Sequence, residues 1–532
     1  MRGIALLWNA TAEYMRERPG VPSMFFGELM KSQVQVLKFG GTSVGNGERI
    51  RRVAQIIART YHDPAEAFPV VVVSAMAKVT DQLLRIAAFV CTNELEAYER
   101  ELKALKQKQF DAAEKAVNAA EGRNTLLKQL ESAFSSLEHD VANLRQAVET
   151  ATVRGIQNEG AYTVPFATAA IAAWGERLSI MLVAASASDI GLSAAPMREE
   201  VIITDHPTLP TTQQSYGVAP GADPLPEETR KNVRAIISPL IEQQVVPIAA
   251  GFIGRTQEGF VTTLGRNGSD YSASVIGAAL DCVEVTIYTD VDGVLTADPR
   301  LVMNTRLLTE LSYAEAARLS WFGAKVLHPR TLIPIAHRNI PVRVRNTFRP
   351  ALRGTVVGPE GRHKSGAAAI TVRRHLSLIT VESTDLFGAP ESAGQVFALA
   401  ARAGAAPVAI CSSSGHHLSF VVEENAAASV VALLQHDMGA WRVRSRNGLA
   451  ACACIGSGFT ADPMSPARAI TALARERIPV ITQGASELGI TLIVEDADSE
   501  RALRSLHRDL IAPVIPLVRH TATAHEKKRG AL

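Results

Sequence analysis

An apolar strand that runs unbroken into a lysine and then a glycine pair leaves a chain few options, and this one reads Val36-Leu37-Lys38-Phe39-Gly40-Gly41-Thr42-Ser43-Val44. Strand propensity carries the backbone to Lys38. Two residues without Cβ then let N–H groups approach an anion as a helix opens near Ser43. Lys38 supplies the point charge for that anion. A tight strand-to-helix turn without a ligand would use the same residue types. The P-loop of the common nucleotidases is excluded, because no Gly-Lys-Ser/Thr follows at the required spacing.

A second loop of this kind stands at Leu264-Gly265-Arg266-Asn267-Gly268-Ser269-Asp270, ahead of an apolar helical run to Leu280. Gly265 and Gly268 provide the bend, and Ser269 or Asp270 is the expected N-cap, leaving helix N–H groups and the positive end of the dipole to face an anion. The next strand, Glu284 to Thr289, ends in the acidic turn Asp290-Val291-Asp292-Gly293 and reaches Asp298-Pro299-Arg300. Carboxylates and hydroxyls there suit a ribose or Mg²⁺, and Arg300 suits a phosphate. Val70 to Val73 is a short continuous apolar strand of the sort buried on both faces of a parallel sheet, so the organisation is α/β.

From Asn93 to about Thr152 the text turns rich in Glu, Lys, Leu and Ala without proline, and Gly122-Arg123-Asn124 suggests a break between two antiparallel helices. This segment reads as an insertion with a solvated face, a dimer contact being the alternative. Leu209 to Glu228, with four prolines, reads as a loop that could cover the site. In the last third, Pro407 and Pro479, Val408 and Val480, Ser414 and Ser486, Val422 and Val494, and Glu423 and Glu495 are each 72 positions apart, so one small domain occurs twice. Each copy reads strand, helix (Ala393 to Ala403; Pro466 to Arg477), strand, turn, strand.

Five blocks in register resemble the aspartate kinases: Lys38 to Val44, Trp174-Gly175-Glu176-Arg177-Leu178-Ser179, Leu264 to Asp270, Thr289 to Arg300, and Phe322-Gly323-Ala324-Lys325-Val326-Leu327-His328-Pro329. The wording is nearest to the kinase half of bifunctional aspartate kinase–homoserine dehydrogenases, and the chain is too short to add the dehydrogenase. The resemblance implies a three-layer αβα amino-acid kinase domain with a mainly parallel sheet at 31–362, followed by two α+β ACT regulatory domains at 366–445 and 446–520. Residues 1–30 would be a disordered extension, with Met30 the alternative start, and 521–532 a tail. Ile4 to Trp8 is followed by mixed charge, which argues against a cleaved signal.

The resemblance implies transfer of the ATP γ-phosphate to the β-carboxylate of L-aspartate. That carboxylate is ionised at neutral pH, with a reference pKa of about 3.9, and needs no general base. Catalysis is then positioning and charge neutralisation between two anions. By resemblance Lys38 lies against the transferring phosphate with Gly40, Gly41, Thr42 and Ser43, and Asp270 organises lysine and nucleotide. Glu176 would hold the substrate ammonium and Arg198 would clamp the α-carboxylate. Ser74, Thr80, Arg266, Asn267, Gly268 and Ser269 complete the aspartate pocket. Thr289, Asp290, Leu295, Arg300 and Lys325 face ATP, with Mg²⁺ as cofactor and no dedicated protein metal site. The family usually has tyrosine at Leu295, and an acidic residue where Pro196 stands.

ACT modules pair across chains and bind amino acids, so a homodimer or larger assembly under feedback by threonine or lysine is implied. Gln483, Ser486 and Glu487 match the effector-reading turn in the second copy, whereas the first has Cys411 and Gly415 there, and a thiol cannot replace a carboxamide's paired donor and acceptor. His416 and His417 read as surface residues. Two decoys fall away. Gly456-Ser457-Gly458 lacks the acidic residue about 20 positions on that a dinucleotide site needs, and His507-Arg508-Asp509-Leu510 lacks the asparagine of a protein-kinase loop and is a helix end.

Composition agrees. Lys plus Arg number 55 against 53 Asp plus Glu, which gives no basic surface for nucleic acid. Five cysteines lack zinc-type spacing and suit a reducing cytoplasm, with Cys452 and Cys454 at strand period as core residues. No apolar run approaches the roughly 18 residues of a membrane span. The alternatives are another amino-acid kinase of glutamate type and a catalytically silent amino-acid sensor; Glu176 argues against an acylated substrate, which has no ammonium.

Overall fold

The computed structural model describes residues 33–154, 160–197, 200–206, 221–265, 267–324, 327–361, 366–383, 391–414, 417–438, 441–459 and 461–511. The chain divides into two compact units. The first runs to Leu295 and resumes over Leu307–Arg362. The second takes the intervening Thr296–Arg306 together with everything from His363.

The first unit starts with β1 (Val34–Phe39), α1 (Gly47–His62), β2 (Phe68–Val73) and α2 (Val79–Cys91). A helical pair follows, α3 (Leu95–Ala116) and α4 (Ala120–Arg154), and then the long α5 (Gly160–Asp189). Next come β3 (Ala194–Pro196), α6 (Pro226–Glu242), β4 (Val246–Ala250), the hairpin β5 (Ile253–Arg255) and β6 (Val261–Thr263), α7 (Gly268–Leu280) and β7 (Glu284–Thr289). The unit closes with β8 (Glu310–Ser312), α8 (Tyr313–Trp321), α9 (Pro329–Ala336), β9 (Val342–Asn346) and β10 (Thr355–Gly358). Eight of these strands form one sheet in the order β3-β4-β2-β1-β7-β9-β10-β8, in which β9–β10 is the one antiparallel pair. In such a sheet the space beyond the carboxyl ends of the central strands is where ligands bind.

Alternation along β1 sets what each face meets. Leu37 and Phe39 join a core with residues of α1 to α5, including Ile50, Leu83, Leu105, Phe134 and Leu182. Val36 and Lys38 point to the other face, where α7 lies. Burial of such a core is the dominant favourable term, at about 25 cal/mol per Å² of apolar surface.

Three sequence expectations change here. α1 begins at Gly47, capped by Asn46 accepting from Arg49 N at 2.9 Å, so residues 43–46 form a turn where a helix near Ser43 was expected. The α3–α4 break falls at Val117-Asn118-Ala119, because the Asp189 carboxylate accepts from Asn118 N and Ala119 N at 2.9 and 2.8 Å; Gly122 sits inside the first turn of α4. Val164–Asp189 in α5 is long and apolar enough to cross a membrane, with mean hydropathy 1.3, although no uninterrupted run announces it; 67% of that window is buried within the protein. The loop expected over Leu209 to Glu228 ends in the first turn of α6, and its part at 207–220 lies outside the described residues.

The second unit contains β11 (Ala369–Ser383), α10 (Glu391–Arg402), β12 (Ala409–Ser414), β13 (His417–Glu423) and α11 (Glu424–Asp437). The same series then repeats as β14 (Trp441–Ile455), α12 (Met464–Arg475), β15 (Thr482–Ser486), β16 (Gly489–Glu495) and α13 (Ser499–Leu510). β11 and β14 start at 369 and 441 and β13 and β16 at 417 and 489, each pair 72 residues apart. One sheet, β12-β13-β11-β14-β16-β15, joins the copies through the antiparallel β11–β14 ladder. The expected boundary at 445 falls inside β14. Each copy keeps its own core: Ile379, Phe420 and Val422 under α10 and α11, and Cys452, Cys454 and Leu492 under α12 and α13. The two buried thiols are core residues, and burial pushes Cys452 up to about 12.

Candidate active site

The carboxyl end of β1 delivers Lys38 to the α7 face, and the first turn of α7 delivers Asp270 to meet it. Their ammonium and carboxylate form a direct ion pair, with Lys38 only 7% exposed.

α7 is capped by Asn267 in the left-handed conformation (φ 58°) and has no side-chain hydrogen bond at the cap. Ser269 and Asp270 are thus inside the helix, and neither is the N-cap. This first turn stands at the wall of a cavity of about 610 Å³ whose lining includes Asn267, Gly268, Ser269 and Asp270. Arg330, at the start of α9, braces the loop by stacking over Tyr271 (4.6 Å) and donating to the Leu264 carbonyl at 3.0 Å. Nothing in its local sequence singled out Arg330.

The opposite wall is the loop after β2. Ser74, Ala75, Met76, Ala77, Lys78 and Thr80 line the same cavity, with Lys38, Gly41 and Glu176. This loop comes in under Gly41, whose carbonyl accepts from Ala77 N at 3.0 Å; a Cβ on Gly41 would stand 2.9 Å from the Ala75 carbonyl oxygen. Gly175 performs the same service on α5, where a Cβ would meet that of Ala75 at 2.7 Å. The close approach places Glu176 so that its Oε1 accepts from Ala75 N at 3.0 Å, while Oε2 is buried with no hydrogen-bond partner. Burial pushes the Glu176 carboxyl up to about 8, against the opposing pull of the Ala75 N–H and the nearby Lys38 charge.

The remaining nominated residues scatter. Ser43 is fully buried and turned inward, its hydroxyl 2.6 Å from that of Thr347, so it ties the glycine turn to the end of β9. Gly40 fits between the Lys38 ammonium and the Tyr288 carbonyl, to which its N–H donates, and the Thr42 carbonyl accepts from Arg49 at 2.8 Å. Thr289 and Asp290 end β7, their side chains 3.3 Å apart, and Leu295 bridges Leu307; none of the three lines the cavity. Arg300 is an exposed side chain chelated by Asp298, on the segment that belongs to the second unit. Arg198, Arg266 and Lys325 lie outside the described residues. Lys78, which sequence reasoning passed over, brings a second lysine to the cavity; its left-handed backbone (φ 68°) is set by tertiary contacts and carries no sequence signal. Among the described residues no cluster of three or more His, Cys, Asp and Glu side chains is arranged to hold a metal ion.

In the second unit Gln483 is exposed on the edge strand β15, which ends at Ser486, and Glu487 is in the turn beyond it. Cys411, its counterpart 72 residues earlier, lies on the other edge strand, hydrogen-bonded to Thr482. Gly415 and His416 lie outside the described residues.

Comparison with known proteins places these features in context. Residues 33–346 match the amino acid kinase family and residues 453–510 match the ACT domain. Over 490 residues the chain is 34% identical to a bifunctional aspartokinase/homoserine dehydrogenase of Zea mays, covering 89% of this chain but 50% of the relative, so it spans about half that protein's length. It is 31% identical over 522 residues to aspartokinase 3 of Arabidopsis thaliana, covering 92% and 84% of the two chains. The crystal structure of E. coli aspartokinase III in complex with aspartate and ADP superposes with a TM-score of 0.70 at 26% identity, over 90% of this chain and all of that one.

Proposed function

The chain belongs to the aspartokinases of the amino acid kinase family, and from that premise we propose that it transfers the γ-phosphoryl group of ATP to the β-carboxylate of L-aspartate, giving 4-phospho-L-aspartate. The observation that carries this reading is one cavity with the Lys38–Asp270 pair on one side and the unpartnered Glu176 Oε2 on the other. A buried carboxyl oxygen facing the cavity can, once ionised, accept from an ammonium, and an α-amino acid supplies one.

The division of labour follows from charge. The acceptor carboxylate is already an anion, so no residue has to abstract a proton. Glu176, its carboxyl pushed up to about 8 by burial, gives up its proton to solvent when the ammonium arrives and then holds the ammonium as a carboxylate. Lys38 and the first-turn N–H groups of α7 offset the charge of the phosphoryl group as it moves between two anions. Asp270 orients Lys38 through their ion pair. Ser74, Thr80, Asn267 and Ser269 supply hydroxyl and carboxamide groups around the amino acid, with Arg198 and Arg266 proposed for its α-carboxylate end.

ATP with Mg²⁺ supplies the phosphoryl group. Mg²⁺ takes one or two protein carboxylates and fills its shell with water and phosphate oxygens. The donor set around the cavity fits that habit, with Asp270 as its carboxylate. Gly40, Gly41, Thr42, Thr289, Asp290, Leu295, Arg300 and Lys325 are proposed on the nucleotide side, and Ser43 acts there through the backbone it anchors. The tandem repeat reads an end-product amino acid, threonine or lysine, through Gln483, Ser486 and Glu487, in a cytoplasmic homodimer or larger assembly serving lysine, threonine and methionine synthesis.

The test is aspartate-dependent ADP release with MgATP, with lysine, threonine and methionine added singly. Turnover with aspartate and none with glutamate or N-acetylglutamate is the expected result. Turnover with glutamate in its place, or amino-acid binding without any turnover, would overturn it.

A further inference from the structure

The helical pair α3–α4 is absent from any reading of the site, yet α3 reaches it. Lys108 is half-buried on α3, and its Nζ donates to the Ala77 carbonyl at 2.7 Å. Ala77 belongs to the loop that forms the acceptor wall of the cavity. Burial, with the Lys78 charge beside it, holds the Lys108 ammonium below the ordinary lysine range.

The geometry points to Lys108 as a positioning residue for the acceptor loop, an inference that rests on the proposed aspartate site. The loop is gripped by three hydrogen bonds from three separate parts of the chain: Ala75 N donates to Glu176 of α5, Ala77 N to the Gly41 carbonyl of the turn after β1, and the Ala77 carbonyl accepts from Lys108 of α3. The next residue, Lys78, is left-handed at φ 68° and ψ 3°, a conformation that L side chains rarely adopt unless their surroundings impose it. The peptide that Lys108 holds is the one that enters this turn. Gln82, one turn into α2, donates to the Glu101 carbonyl of α3 at 3.0 Å, so α3 fixes both the loop and the helix it opens. Lys108 touches no reacting atom. It fixes the wall on which Ser74, Lys78 and Thr80 stand, and a hydrogen bond from a charged donor to a part-buried carbonyl is among the stronger single contacts available for this.

The experiment compares Lys108→Met, Lys108→Arg and the wild type in the full chain. In Lys108→Met the KM for aspartate rises about tenfold while kcat and the KM for ATP stay within about twofold, and Lys108→Arg restores most of the aspartate KM. Hydrogen exchange of the 76–82 amides is faster in Lys108→Met and near wild type in Lys108→Arg, with thermal unfolding unchanged. An unchanged aspartate KM together with unchanged exchange overturns the inference, as does an equal loss in kcat and both KM values alongside a lowered Tm. The exchange measurement needs no turnover, so an enzyme that ignores aspartate would sink the functional reading and still leave the role of Lys108 open to decision.

Discussion

Glu176 concentrates the residue-scale chemistry, because burial pushes its carboxyl up to about 8. An ammonium ligand needs the ionised form, so at pH 6 to 7 binding must expel a proton, and above about 8 it need not. The dissociation constant for aspartate therefore falls as pH rises, approaching about tenfold per pH unit below that point. In Glu176→Gln titration calorimetry gives weaker binding with that slope abolished; a wild-type affinity flat from pH 6 to 8 would remove the assigned role. Lys38→Ala acts on the other side. Loss of the charge nearest the moving phosphoryl group lowers kcat about 10³-fold in the ADP-release assay, with circular dichroism unchanged. Near-wild-type turnover in that variant would rule the role out. Lys38 and Asp270 were legible in sequence because strand end and helix start both follow from local pattern. Lys78 and the inward hydroxyl of Ser43 were not, since the groups that hold the peptide before Lys78 and the Ser43 hydroxyl, the Lys108 ammonium and Thr347, come from elsewhere in the chain.

At the scale of elements, the helical pair shows how a local signal misplaces a boundary. Gly122 looks like a breaker, but one glycine costs a helix only about 1 kcal/mol relative to alanine, and α4 absorbs it. The turn forms at Val117-Asn118-Ala119 because Asp189, some seventy residues away, supplies the acceptor for two orphan N–H groups. Those hydrogen bonds hold the Asp189 carboxyl below the usual aspartate range. Asp189→Ala is expected to cost about 1 kcal/mol, read as a lower urea midpoint with unchanged m-value. α5 makes a related point. Its hydropathy would suit a lipid bilayer, but α1, α2 and α4 cover it instead, so composition alone does not settle which apolar medium surrounds a helix.

Across the whole molecule, the duplicated strand–helix–strand–strand–helix series is the strongest constraint, and its 72-residue spacing survives unchanged into the strands. The copies nevertheless differ at two proposed readout positions, Cys411 and Gly415 standing where the second copy has Gln483 and Glu487. Gln483 can both donate and accept toward an amino acid; Cys411, hydrogen-bonded to Thr482, cannot. Inhibition by an end-product amino acid should therefore depend on the second copy. In Gln483→Ala the concentration for half-inhibition rises at least about tenfold with uninhibited kcat unchanged, and an unchanged inhibition curve would return the role to the first copy. Thr296–Arg306, which reads as an uninterrupted part of the phosphate-handling text, is drawn into the second unit, with Ala297 and Val302 in its core and Thr296 2.9 Å from His507. His507 is a helix end, as the sequence suggested, and also the buried anchor of that segment.

The amino-acid sequence by itself determined the α/β organisation and the repeat, because these rest on periodicity and on spacing along the chain, whereas the pairing of Lys38 with Asp270, far apart in the chain, came from resemblance to the family. Only the tertiary structure decided that Glu176 keeps a buried, unpartnered oxygen, that α3 grips the acceptor loop through Lys108, and that Arg300 travels with the second unit. Those outcomes depend on which distant groups share a desolvated space, and no local pattern encodes the cost of leaving water.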